Sequence, residues 1–197
     1  MQTEDVRLDN QIIYDVIEPF SRVLDLGCGD GSLMLLLMNG KNARVQGIEV
    51  SDEKIYECVA RGVSVFHGDI DTGLSEYPDK SFDYIIMNQS MQEVMKVDFV
   101  LNEALRVGHK VIVGFSNFAY YKARIDIFFK GRAPITESLP NQWYSTPNLH
   151  FLAIQDFEDY CNYKKVKILA RFYLGEKKRV RFMPNLFALN AIFVISK

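Results

Sequence analysis

Residues 23–31 read VLDLGCGDG, and their types and spacing fit the binding of a nucleotide-like ligand. An apolar run ends at Asp25. Gly27, Gly29 and Gly31 then alternate with small or polar residues, and SLMLLLMN follows with helical character. Glycine lets the backbone turn tightly and lets a ligand lie against it, since any Cβ would block both. The start of the following helix adds unpaired N–H groups and a partial positive charge. Further along, Glu49 ends an apolar segment with Val50 beside it, Asp69 ends another with Ile70 beside it, and Asn88 and Gln89 close a third. A carboxylate at Glu49, at that distance from the glycine turn, can accept hydrogen bonds from both hydroxyls of a ribose. Each residue alone has an ordinary reading: Asp25 as a helix cap, Glu49 as a strand-end carboxylate, Asp69 as a turn former. Taken in order at successive strand ends, they point to a pocket.

The elements that must position these residues can be read from periodicity. Residues 5–18 carry Val6, Ile12, Ile13, Val16 and Ile17 at helical spacing, and Pro19 stops them. Strands are expected at 22–26, 44–50, 63–69, 82–88 and 110–115, with helices at 31–39, from Ser51 to Gly62, and at 97–107. Gly40 and Gly108 are expected to end helices. Strand–helix alternation argues for a parallel sheet covered by helices. The ending differs. Residues 118–147 are rich in aromatics and broken by Pro134, Pro140 and Pro147, a short helix follows at 154–161, and strands at 165–174 and 187–196 are close enough to pair antiparallel. The plan resembles that of the class I methyltransferases, a Rossmann-like α/β fold. That resemblance implies a seven-stranded, mainly parallel sheet in the order 3-2-1-4-5-7-6, with helices on both faces. One methyltransferase-like domain over 1–197 is expected, with an insertion at about 116–150 serving as lid or interface.

Composition narrows the partners. The formal charge is −2 with both signs interspersed, so nothing favours nucleic acid. The basic stretch GEKKRVR at 175–181 reads as a solvated hairpin tip. No apolar run reaches membrane-spanning length, and the polar start MQTEDVRLDN is unlike a signal peptide. The 3 cysteines, Cys28, Cys58 and Cys161, are isolated, which supports neither a disulfide framework nor a zinc site and makes a reducing cytoplasm the simplest compartment.

The glycine turn departs from the dinucleotide fingerprint, because Ser32 stands at its third glycine position. Its D-x-G-x-G-x-G form resembles motif I of the S-adenosylmethionine (AdoMet) methyltransferases. A carboxylate at Asp25 suits the cationic end of AdoMet (or S-adenosylhomocysteine), directly or through water, and bare backbone at Gly27 and Gly29 lets the ligand lie close. The resemblance implies that Asp69 faces the adenine amino group, that the backbone of Ile70 serves the ring edge, and that Asn88 and Gln89 border the reaction cleft. Catalysis is less defined. His67 and His109 read as structural and His150 is better placed, but no cluster has metal spacing. The segment NQSMQE is not the N-P-P-Y loop of amino-group methyltransferases. Methyl transfer can proceed by alignment alone, so the acceptor stays open.

The second half narrows the family. GFSNFAYYKARIDIFFKGRAPITESLPNQWYSTPNLHFLAIQDFEDYC (114–161) resembles the signature of the MetW family of methionine-biosynthesis proteins, and the resemblance covers most of the chain. Ser116 departs from the family's usual proline, and MNQSMQ replaces LSQTLQ while keeping Gln89 and Gln92. The resemblance implies an AdoMet-binding accessory or regulatory partner of homoserine O-acyltransferase. The alternatives are an AdoMet-dependent small-molecule methyltransferase with an unknown acceptor, and a structural partner with a vestigial pocket.

Overall fold

The computed structural model describes residues 7–197; Val6 and the start of the expected first helix lie outside the described residues. The strands are β1 (Arg22–Leu26), β2 (Arg44–Glu49), β3 (Ser64–His67), β4 (Phe82–Asn88), β5 (Gly108–Ser116), β6 (Lys167–Leu174) and β7 (Asn190–Ser196). They form one seven-stranded sheet in the order β3-β2-β1-β4-β5-β7-β6, as expected. The first five strands run parallel, and β7 is antiparallel to both β5 and β6. The helices are α1 (Leu8–Val16), α2 (Ser32–Lys41), α3 (Asp52–Ala60), α4 (Val97–Val107), α5 (Tyr121–Lys130), α6 (Ile154–Lys164) and the short α7 (Pro184–Phe187).

Alternation along the strands builds two cores, one on each face. Tyr84 and Ile86 of β4 join Ile12 and Ile13 of α1 and Met34 and Leu37 of α2 on one side. Ile85 and Met87 join Leu101 and Leu105 of α4 and Phe157 of α6 on the other. Burial on both faces explains why these strands are continuously apolar. The apolar stripe of α4 likewise explains its length, since Val100, Leu101, Ala104 and Leu105 all face the sheet.

Several boundaries differ from expectation. Gly40 does not end α2; the helix runs to Lys41, and Asn42 takes the left-handed position with φ 50°. Gly40 is small because Tyr14 lies over it, with the Tyr14 hydroxyl donating to its carbonyl at 3.1 Å. Gly108 follows α4 but opens β5 at once, because the backbone there is already extended. The aromatic stretch contains α5, which Gly131 ends in a left-handed turn. The last strand begins at Asn190 rather than 187, since α7 occupies the preceding residues. The basic stretch is a hairpin tip as read, closed by the Gly175 N–H on the Lys178 carbonyl at 2.9 Å.

Gly47 of β2 brings the glycine turn against the sheet. A Cβ there would stand 2.5 Å from the Cys28 sulfur and 2.8 Å from the Met34 sulfur. Gly47→Ala therefore overpacks this contact, and urea unfolding should show a loss of about 1–3 kcal/mol.

Candidate functional site

A cleft of about 400 Å³ opens at the carboxyl ends of β1, β2, β3 and β4. Gly27, Gly29, Glu49, Val50, Asp69, Ile70, Asn88 and Gln89 all line it, so those strand-end residues do converge. Asp25 does not line it. It sits between Gly47 and Ile86 in the ladder, 3% exposed, beneath the turn. The wall also includes Lys54, Gly68, Asp71, Ser90 and Glu93, which the sequence reading did not single out. The polar residues of NQSMQE were the available signal for Ser90 and Glu93.

Glu49 organises the turn. One oxygen accepts the Gly29 N–H at 2.9 Å, and the other accepts Val50 and Ser51 N–H at 2.9 and 3.0 Å. Ser51 stands at the N-cap of α3, but its side chain makes no cap bond there; Glu49 takes its N–H instead. The Ile48 carbonyl holds the N–H groups of Gly27 and Cys28 at 2.8 and 3.2 Å. Gly27 and Gly29 serve different ends. Gly27 adopts φ +75°, and a Cβ would lie 2.6 Å from that of Ser90, whose hydroxyl donates to the Leu26 carbonyl at 2.6 Å. Gly29 adopts φ +56° with open space where its Cβ would be, so only there is bare backbone presented to a ligand. A carboxylate has about four acceptor positions. Backbone occupies three at Glu49, so binding both ribose hydroxyls requires sharing one.

On the opposite wall, Asp69 accepts the Asp71 N–H at 2.9 Å and starts a short 3-10 turn, Ile70–Thr72. Asp71 in turn accepts the Met95 and Lys96 N–H groups, both at 2.8 Å, fixing the entry to α4. The Asn88 amide donates to Asp9 at 3.0 Å, and Arg7 holds the same Asp9 with contacts of 2.6 and 3.2 Å. The Asn88 carbonyl oxygen is buried against Gly114 of β5 without a hydrogen-bond partner in the chain. Gln89 has φ +68°, its N–H bonded to the Gly114 carbonyl at 2.8 Å and its side chain 3.0 Å from the Ser116 hydroxyl.

Electrostatically the cleft floor is acidic. Burial first, and repulsion by Glu49 second, push Asp25 up to about 7. The same two causes raise Glu93. A cation arriving here would relieve both. Burial raises all three thiols, and Cys28 and Cys58 pack with their sulfurs 4.0 Å apart, in keeping with Cys28 as a compact filler. None of His67, His109 and His150 lines the cleft. Among the described residues no group of three or more His, Cys, Asp or Glu could hold a metal ion.

Folding keeps Asp25 protonated to about pH 7, whereas the unfolded chain releases that proton near its ordinary value of 3.8. The stability this group contributes is thus present below about pH 4 and is lost as pH rises through about 7. Asp25→Asn removes the loss. Urea unfolding should show the variant gaining on the native protein by about 1–4 kcal/mol more at pH 8 than at pH 4.

Comparison with known proteins agrees with this architecture. The SAM-dependent methyltransferase of Archaeoglobus fulgidus superposes with a TM-score of 0.68 at 14% identity, covering 97% of this chain and 91% of that one. The cyclase SpnF superposes with a TM-score of 0.68 at 20% identity, covering 95% of this chain and 80% of that one. At such identities the likeness establishes the fold, which is that of the class I methyltransferases. The bifunctional methionine biosynthesis protein MetXA/MetW of Rhodopirellula baltica is 35% identical over 189 residues, covering 91% of this chain. The chain spans only 30% of that relative's length. The family model described as methionine biosynthesis protein MetW matches residues 7–195, so the chain belongs to the MetW family of methionine biosynthesis.

Proposed function

We propose that the chain binds AdoMet, or S-adenosylhomocysteine, in the cleft and acts as an accessory or regulatory partner of homoserine O-acyltransferase. The observation that supports the partnership is the relative in which MetXA and MetW form one bifunctional methionine biosynthesis protein. The observation that carries the ligand is the acidic floor beneath an open glycine turn. A sulfonium and an ammonium are the cations such a floor favours, and Gly29 leaves room for them to approach. In this reading Asp25 acts electrostatically from below, in place of direct contact. Glu49 and Val50 border the ribose, Asp69 and Ile70 the base, and Asn88 and Gln89 the end nearest any acceptor. The whole of 1–197 works as one methyltransferase-like unit. The three buried thiols suit a reducing cytoplasm.

When bound, AdoMet supplies an electrophilic methyl group; this chain's residues bind and orient it. Among the described residues no general base faces the cleft as a histidine. A small-molecule methyltransferase is the second reading, with Asn88 and Gln89, which line the cleft, bordering the acceptor. The cyclase on the same fold is a reminder that this architecture hosts more than one chemistry.

Calorimetry should show AdoMet binding that Glu49→Ala weakens by about 1–3 kcal/mol. Native affinity in that variant would remove Glu49 from the site. In the purified pair, AdoMet at saturation should change acyltransferase activity; an unchanged rate overturns the regulatory role. Consumption of AdoMet with a defined acceptor would favour the second reading.

A further inference from the structure

The segment between β5 and α6 carries a separate groove of about 460 Å³ that shares no residue with the nucleoside cleft. Leu139, 4% exposed, lies at its base, and the rings of Phe118 and Phe151 pack at 5.1 Å along it. Around it the surface is unusually aromatic. Phe128 and Phe129 of α5 are 82% and 76% exposed and pack edge to face with each other. Trp143 and Tyr144 of the returning chain are 74% and 72% exposed and do the same. Scattered exposed apolar residues are ordinary, but paired rings beside lining residues of one groove, Phe128 next to Ile127 and Tyr144 next to Trp143, have the composition of an interface core.

The segment is also pre-organised. Lys122 pairs with both Glu137 and Glu176, and Thr136 and Leu139 bond to each other through the backbone. The Leu149 and His150 N–H groups bond to the Gln92 carbonyl at 2.8 and 3.1 Å, and the Phe118 N–H bonds to the Leu152 carbonyl at 3.0 Å. A surface held open in this way loses little freedom on docking. Phe118, Trp143 and Phe151 line this groove and not the nucleoside cleft, which argues for an interface over a lid. Its charge is also one-sided. Asp126 and Glu137 are paired with Lys130 and Lys122, whereas Arg132 in the groove has no carboxylate partner among the described residues.

We propose that this aromatic face is where homoserine O-acyltransferase docks, through an apolar ridge with an acidic group that meets Arg132. The proposal rests on the partnership proposed above and adds the surface that makes it. It also gives the cleft a route to the partner. The post-β4 loop that supplies Gln89, Ser90 and Glu93 to the cleft also supplies Gln92, 1% exposed. The Gln92 side chain accepts the Ser116 N–H at 2.8 Å and donates to the His150 carbonyl at 3.3 Å. Gln92 therefore ties that loop to the edge of the docking face.

The test measures binding of the purified acyltransferase to the full chain by surface plasmon resonance. Phe128→Asp and Trp143→Asp should each weaken the complex at least about 30-fold, and Arg132→Glu should weaken it and reduce its salt dependence. Tyr163→Asp, at an equally exposed ring on α6 outside the groove, should leave it unchanged. S-adenosylhomocysteine affinity and urea midpoint report folding, with Trp143→Ala as the milder variant. If the native pair binds and the groove variants bind equally well, the face is wrong and the partnership stands. If the native pair does not bind, both fall. If the native chain self-associates in sedimentation and Trp143→Asp abolishes that, the occupant is a second copy and the proposal is overturned.

Discussion

The Glu49 carboxylate is the contact on which the cleft depends. Pairing between β1 and β2 stops at Leu26 and Ile48, after which one chain turns through the glycines and the other enters α3. Glu49 sits at this parting and takes N–H groups from both branches. Hydrogen bonds to an ionised acceptor are about twice as strong as neutral ones. A single side chain therefore sets the distance between the turn and the exit of β2. The cleft's shape is set by hydrogen bonds within the chain itself.

That arrangement has an electrostatic cost which is also its chemical meaning. Burial first, and the charge fixed at Glu49 second, raise the carboxyls of Asp25 and Glu93. Structural stability alone would favour neutral residues at these positions. Keeping carboxylates against one another under a turn with open space makes sense if a cation completes the set. The neutral alternative, an apolar floor, would give a firmer fold and a cleft indifferent to charge.

The sheet order and eight of the nine proposed cleft residues were legible in the sequence. Doubly buried parallel strands announce themselves as apolar runs, and their polar ends announce the cleft. What was hidden depended on partners distant along the chain. Asp25 looks like a contact residue until the ladder is seen to close over it. Glu49 looks free to bind ribose until Gly29, twenty residues earlier, is seen to donate to it. Gly40 looks like a helix stop because nothing local reveals Tyr14 above it. The helix α5 was masked by aromatics that do not repeat as a buried stripe, because only Ala123 of that helix is fully buried.

The two strands at the margins of the sheet limit how this molecule can associate. At one margin β3 is only four residues long. At the other, β6 carries Lys167 and Arg171 and shifts register between Ile168 and Ala170. Short strands, edge cations and bulges are the devices that stop a sheet from growing by accepting a further strand. Both margins therefore disfavour main-chain addition. Assembly through side chains can diverge between relatives without disturbing the sheet.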